Sequence, residues 1–330
     1  MTRRQHSPRH FRNSGFSLIE LMVSLTIGLV IAVAAFSAYL GAASAGKTSE
    51  AQIRMNEDGQ AALSILTQQL RMAGTNPGQA DRVLASRRNP VYGTTTFTTS
   101  PGTFTLSAFS IRGCDGKFSN ITATSTLDGL TCAGGTTTLP DSIAVNYEAD
   151  RYNTLPNSTT GLPSDCLGNG LPVITATFPA TSPTSAVSGT YTVADSRFFI
   201  GTSTAVASPS LYCRGNGSTG ASQPMVENIE DLQFTYGTVS TTTTATTATV
   251  AGYLRADEIA VLATTPADDA TRWGKVLTVR ICVVVRSEAP VAPDAASAKY
   301  LDCQGAVVAA PDLRLRRAYS TTVVLRNRRL

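Results

Sequence analysis

No histidine follows His10 in this chain of 330 residues, and the other histidine is His6. A body without histidine excludes Ser-His-Asp and Cys-His catalysis, histidine general bases and His-bearing zinc sites. The six cysteines form no C-x-x-C pair, which removes thioredoxin-like redox chemistry and zinc ribbons. Charge is also sparse, at 15% of residues, and the formal +4 is carried by the first fourteen residues. Without Arg3, Arg4, Arg9 and Arg12 the remaining 23 basic and 23 acidic side chains cancel. A neutral body argues against nucleic acid as a partner. The adjacent acids Asp268-Asp269 and Glu230-Asp231 read as solvated turns rather than paired catalytic carboxylates. The sequence therefore predicts no enzyme, no cofactor and no metal.

What it does contain begins with a basic leader, Met1 to Ser14, with no acid, followed by an apolar run from Phe16 to Ala45 whose one carboxylate is Glu20. Thirty residues at about 1.5 Å each make a helix of roughly 45 Å, enough to cross a hydrocarbon core of about 30 Å. Arginines before the run and none of either basic type until Lys47 orient the chain with its N-terminus cytoplasmic. A carboxylate in such a segment is costly and needs a cation. Two other motifs overlap the run. Ala43-Ser44-Ala45 is an A-x-A end suited to a secretory signal peptide, but the run is twice the usual apolar length and holds a glutamate. Gly41 to Thr48 matches G-x-x-x-x-G-K-[ST], yet it follows a membrane-length apolar segment instead of a buried strand, so a phosphate-binding loop is not expected.

From Pro8 to Pro77 there is no proline. Met55, Ala62, Leu63, Leu66, Leu70 and Ala73 recur at helical spacing among polar residues, so the same helix is expected to run from about Ser17 to Ala73, with Gly74 and Asn76-Pro77 as its stop. Beyond it the pattern is β. Lys275 to Arg286 alternates, with Leu277, Val279, Ile281, Val283 and Val285 on one face, predicted to pack on the helix. Further expected strands are Phe104–Ile111, Ser142–Tyr147, Val173–Phe178, Tyr191–Val193, Asp231–Tyr236 and Tyr319–Leu325. Thr/Ser-rich loops separate them, above all Thr238 to Thr249, and sequons at Asn120, Asn157 and Asn216 are read as chance. An even cysteine count in an exported domain suggests disulfides. Several pairings are open, with free buried thiols as the alternative; the preference is for chain neighbours, Cys114 with Cys132, Cys166 with Cys213, and Cys282 with Cys303.

The nonapeptide Gly15 to Val23, GFSLIELMV, resembles the type IV pilin superfamily, whose class III leader ends in Gly before Phe with Glu at the fifth mature position. The resemblance implies a long N-terminal helix on an antiparallel β-rich head, an α+β pilin-like fold. It also implies that prepilin peptidase cuts between Gly15 and Phe16, that Phe16 is N-methylated, and that Glu20 pairs with the N-terminal amine of a neighbouring subunit during assembly. Many pilins have a proline midway along the apolar half; near Ser37 this chain has none. The runs VENIEDLQFTYG (Val226–Gly237), VRICVVVRSE (Val279–Glu288), YLDCQG (Tyr300–Gly305) and LRRAYSTTVVLRNRRL (Leu315–Leu330) resemble the PilW family of minor pilins. The expected division is a removed leader (1–15), a transmembrane or fibre-core helix (16–45), its amphipathic continuation (46–74) and a periplasmic head (75–330). The implied partners are prepilin peptidase, other minor pilins, the major pilin and the inner-membrane assembly platform. A type II secretion pseudopilin or a tethered adhesin is the alternative. The tail arginines Arg314, Arg316, Arg317, Arg326, Arg328 and Arg329 are read as a solvated strand edge or, less favoured, a surface for an acidic partner.

Overall fold

The computed structural model describes residues 15, 17–77, 96–99, 102–105, 109–122, 127–134, 139–178, 187–203, 207–217, 222–239 and 249–327. The leader before Gly15, Phe16, most of the Thr-rich tract, Arg328 and Arg329 lie outside them. The chain divides into two units, 1–50 and 51–330.

One helix, α1, runs without interruption from Leu18 to Met72, about 80 Å at a rise of 1.5 Å per residue. Nothing in its 55 residues breaks it, since proline is absent and the glycines Gly28, Gly41 and Gly46 lie in open surroundings. It stops where the sequence changes chemistry. Gly74 adopts φ +72°, a left-handed conformation that a side chain would penalise. The Thr75 amide then closes on the Met72 carbonyl at 2.8 Å, and the Gly74 amide leaves the helix to donate to the Asn146 carbonyl at 2.9 Å.

In the second unit the described strands are, in order, β1 (Thr96–Thr99), β2 (Gly102–Thr105), β3 (Ile111–Cys114), β4 (Ser142–Glu148), β5 (Val173–Phe178), β6 (Val187–Gly201), β7 (Ser210–Arg214), β8 (Gln223–Glu227), β9 (Ile229–Val239), β10 (Val250–Leu254), β11 (Val276–Arg286), β12 (Tyr300–Leu301), β13 (Val307–Val308) and β14 (Arg316–Val324). Two short helices, α2 (Ala256–Ala260) and α3 (Asp269–Gly274), lie between β10 and β11. One antiparallel sheet has the order β3-β4-β6-β7-β8, with β5 paired to the first half of β6. The other has the order β10-β9-β11-β14. Strand β11 lies in its middle and pairs with β14 without a register shift from Thr278–Val324 to Arg286–Arg316.

Register explains the core. Val279, Ile281 and Val283 stand directly opposite Tyr236, Phe234 and Leu232, so these side chains share one face. All of them are buried, in one apolar cluster with Ile143, Val145 and Tyr147 of β4 and with Met55, Ala62, Leu66 and Leu70 of α1. The buried helix positions Met55, Gly59, Ala62, Leu66 and Leu70 follow the three-and-four spacing of one helical stripe. On the opposite face of β11, Arg280 lies over the Tyr253 ring at 4.2 Å. Three disulfides, Cys114–Cys132, Cys166–Cys213 and Cys282–Cys303, span Cα distances of 5.5, 6.5 and 5.8 Å.

Several expectations change. The segment Phe104–Ile111 is no single strand, because β2 ends at Thr105 and β3 begins at Ile111. Strand β6 extends far beyond Tyr191–Val193. Glu230 and Asp231 lie within β9, not in a turn. Asp268 does sit at a turn, where its carboxylate caps α3 by accepting from the Thr271 amide at 2.7 Å. The tail arginines divide: Arg317 and Arg326 are exposed, whereas the Arg316 side chain is 1% exposed and ion-paired.

Candidate subunit-assembly site

Of the residues singled out at the N-terminal end, Glu20 stands on the first turn of α1, Gly15 lies three residues before the helix begins, and Phe16 is outside the described residues. Gly15 is exposed and has open space around it, the condition a protease needs to reach a scissile bond. Ser17-Leu18-Ile19-Glu20 has the S-x-x-E spacing that closes a helix start, in which the acid three residues on reaches back to the capping amide. Here the Ser17 amide donates to the Glu20 carboxylate at 3.0 Å. The bond satisfies one of the amides that every helix start leaves orphaned, and the positive end of the helix dipole favours the negative charge. A cation is still missing: no ion pair to Glu20 occurs among the described residues.

Downstream of Glu20 the helix is apolar on every side and covered on none. Leu25, Ile31 and Phe36 are each 63% exposed. Its serine and threonine hydroxyls do not interrupt this surface, because those of Ser24, Thr26, Ser37 and Ser44 bond back onto the helix. Ser24, Thr26, Ser37 and Ser44 donate to the carbonyls of Leu21, Val23, Ala34 and Gly41 at 2.9–3.0 Å. Such back-bonding leaves none of these four hydroxyls in need of water. At about 1.5–3 kcal/mol for each large side chain removed from water, this surface demands a lipid bilayer or a bundle of similar helices. Within this stretch, Gly41 to Thr48 is wholly helical, so its P-loop spelling forms no phosphate-cradling loop.

The remainder of α1 is fixed to its own head. The Tyr319 ring of β14 fills the space where a side chain on Gly59 would stand, with ring atoms 2.7–2.9 Å from a Cβ built there. The same tyrosine donates its hydroxyl to the side-chain amide oxygen of Asn56, Oδ1, at 2.6 Å. At the other end, Asn327 donates to the Arg71 carbonyl at 2.9 Å and to the Thr75 hydroxyl at 2.7 Å. The Glu148 amide donates to the Thr75 carbonyl at 2.9 Å. Helix and head in the second unit are therefore one mechanical body.

The cysteines singled out with Gly15 and Glu20 play a different part. They are spread over the head and tie loops to sheets: Cys132 to β3, Cys166 to β7, and Cys303 to β11. Each closure removes about 3–4 kcal/mol of loop entropy from the unfolded chain. The sequon asparagines are occupied by the fold as well. Asn120 donates to the Gly129 carbonyl, Asn157 to that of Gly168 and Asn216 to that of Val193.

Sequence reasoning missed two charged arrangements. Arg316 is clamped by Glu230, at 2.5 and 3.0 Å, and by Asp312 at 2.7 Å. Asp141, 4% exposed, bridges the two sheets by accepting from the amides of Gly116 at 3.1 Å and Phe234 at 2.8 Å. Burial pushes its carboxyl up to about 7. Neighbouring Asp115 accepts from the Ala256 amide at 3.1 Å, and burial, followed by the adjacent Asp257 carboxyl, raises it to about 6. Only the adjacency of Asp141 to a strand start was visible in the sequence.

Two family models match the chain. The family described as type IV pilus-assembly protein W matches residues 197–327, from the second half of β6 through β14. The prokaryotic N-terminal methylation motif matches residues 10–36, covering Gly15, Phe16 and Glu20. No curated protein and no solved structure matches it.

Proposed function

We propose that this chain, a type IV pilus-related pilin of the PilW family, works as a minor pilin, a structural subunit that primes a pilus or is built into one. In this reading prepilin peptidase removes residues 1–15 and the new Phe16 amine is methylated. Residues 16–45 sit in the inner membrane and later in the fibre core, 46–74 continue the helix, and the head from residue 75 onward is periplasmic. Prepilin peptidase, the assembly platform, the major pilin and other minor pilins are its partners.

One observation carries the reading: a carboxylate on the first turn of an exposed apolar helix, held by the Ser17 amide at 3.0 Å and, among the described residues, by no cation. A membrane anchor has no use for that charge. A bundle of such helices does, because the Phe16 amine of a neighbour supplies the opposite charge, and any register that separates the two leaves both uncompensated in a low dielectric. The local bond to Ser17 keeps Glu20 partly satisfied while the subunit waits in the membrane. Removing it costs assembly roughly 3–5 kcal/mol and leaves the head untouched.

The test is a strain carrying only Glu20→Ala. The variant is expected to be cleaved after Gly15, inserted and disulfide-bonded, yet absent from sheared fibres, with reduced pilus yield. Wild-type pilus yield together with wild-type recovery in fibres would reject the pilin mechanism and favour a tethered binding module. Sequencing the mature N-terminus completes the test: methylated Phe16 supports the reading, and an end at Gly46 or an intact Met1 overturns it.

A further inference from the structure

We infer that Arg286, the last residue of β11, is a docking residue whose guanidinium receives a carboxylate from a neighbouring protein subunit in the assembled fibre. The inference rests on the assembly reading above and names a contact within it.

Arg286 stands directly opposite Arg316 across the β11–β14 pair, and like charges in that relation repel. Arg316 has its answer in Glu230 and Asp312, which occupy its fork from two sides. Arg314 also draws on Asp312, at 3.5 Å, and donates to the Ser287 carbonyl at 2.9 Å. Arg286 has neither. Its backbone amide donates to the Asn228 carbonyl at 2.9 Å, but its buried Nε has no hydrogen-bond partner. Among the described residues it joins no ion pair. Glu288, two residues on, is engaged by Arg54 at 3.4 Å.

The cluster thus holds three guanidiniums, of Arg286, Arg314 and Arg316, against two carboxylates, of Glu230 and Asp312, which leaves one positive charge over. Burial first, and then the charge of Arg314, push the Arg286 guanidinium down from its usual range, and the attraction of Glu230 and Asp312 offsets only part of this. The isolated head thus bears a cost at this position. A carboxylate brought by a partner would relieve the repulsion and supply the absent acceptor, and a planar fork suits it best. A charge that destabilises the free subunit and is completed by another chain supports recognition, not folding.

The experiment compares full-length Arg286→Gln, Arg286→Lys and Glu20→Ala with the wild type, using thermal unfolding of the purified protein in detergent and recovery in sheared fibres. Arg286→Gln is expected to unfold at a higher temperature than the wild type while its recovery in fibres falls roughly tenfold. Arg286→Lys, which keeps the charge and loses the fork, is expected to recover only part of the loss. A lower unfolding temperature for Arg286→Gln would make Arg286 a structural residue and overturn the proposal, as would unchanged recovery alongside a Glu20→Ala variant that is lost from fibres. If Glu20→Ala is itself recovered normally, the assembly reading fails first. Inorganic phosphate or vesicles rich in phosphatidylglycerol that raise the wild-type unfolding temperature but not that of Arg286→Gln would identify a small anion or a lipid as the occupant and overturn the protein partner.

Discussion

Replacing Gly113 by alanine tests how the two sheets of the head are fitted together. Gly113 lies on β3 and faces Tyr236 of β9. A Cβ built on it falls 1.9 Å from the tyrosine hydroxyl and 2.7 Å from the ring carbon that bears it. The ring has nowhere to go. It is 1% exposed, edge-on to Trp273 at a centroid distance of 5.1 Å and tilted against Phe234 at 6.4 Å. Overpacking of this kind costs about 1–3 kcal/mol where some relaxation is possible, so the upper end applies. The hydroxyl itself has no hydrogen-bond partner, and a buried polar group left so costs about 1–3 kcal/mol. Tyr236→Phe is therefore expected to be neutral or stabilising. In that background Gly113→Ala meets only the ring carbon, and part of its penalty disappears.

Trp273 is the chain's single tryptophan, so its fluorescence reports unfolding at this contact without labelling. At about 2–4 °C per kcal/mol for a domain of this size, Gly113→Ala is expected to lower the midpoint by roughly 5–10 °C. The double variant is expected to lose less than the sum of the singles, with a coupling of about 1–2 kcal/mol. A midpoint within about 1 °C of wild type, or strict additivity, would refute the packing described here.

Three further outcomes follow from the charges and the helix seam. Asp141 and Asp115, raised by burial to about 7 and about 6 from an ordinary 3.8, favour the folded head when protonated; that stability is full below about pH 4 and is lost as pH rises through 6 and 7, by at most roughly 4 kcal/mol for Asp141. Urea titrations at pH 5 and pH 8 check the sign, and Asp141→Asn is expected to flatten the difference. Arg316→Ala leaves Glu230 and Asp312 facing each other without their shared cation, and thermal unfolding is expected to show a loss of about 2–4 kcal/mol that lysine restores only in part, since a lysine has no fork for Glu230. Gly59→Ala gains about 1 kcal/mol of helix propensity but drives the Tyr319 ring off the helix; a net loss of stability and faster proteolysis of β14 are expected, whereas a stabilised protein would show that the ring is free to move.

The long helix was legible because its determinants are local: no proline, apolar residues at helical spacing and a glycine at the end. Strand β11 was legible for a similar reason, since Leu277, Val279, Ile281, Val283 and Val285 alternate without a break, and alternation is the strand's own period. Gly15 and Glu20 could be singled out because a leader junction and an acid in an apolar run are also local signals. Strand β6 was largely hidden. Of its fifteen residues only Tyr191–Val193 read as strand, because Asp195, Ser196 and Arg197 break the apolar pattern. The fold buries them by satisfying them: Arg197 grips Asp195 at 2.9 and 3.0 Å and donates to the Ile121 carbonyl at 2.7 Å.

The acids Glu230 and Asp231 failed for a related reason, and the failure bears on how charge is used in this head. Two adjacent carboxylates look solvated when each is weighed against its chain neighbours. The residue that decides the matter for Glu230 lies 86 positions away, where Arg316 enters β14 opposite Arg286. Once β9, β11 and β14 align, Glu230 serves the arginine at the sheet edge, while burial holds the Asp231 carboxyl above its usual range, moderated by the Gln233 side chain. Alternation along a strand says which face a side chain takes, but not which charge from another strand it will meet. Long-range ion pairs are therefore the part of this fold that only register reveals, and the same register that satisfies Arg316 leaves Arg286 to be answered from outside.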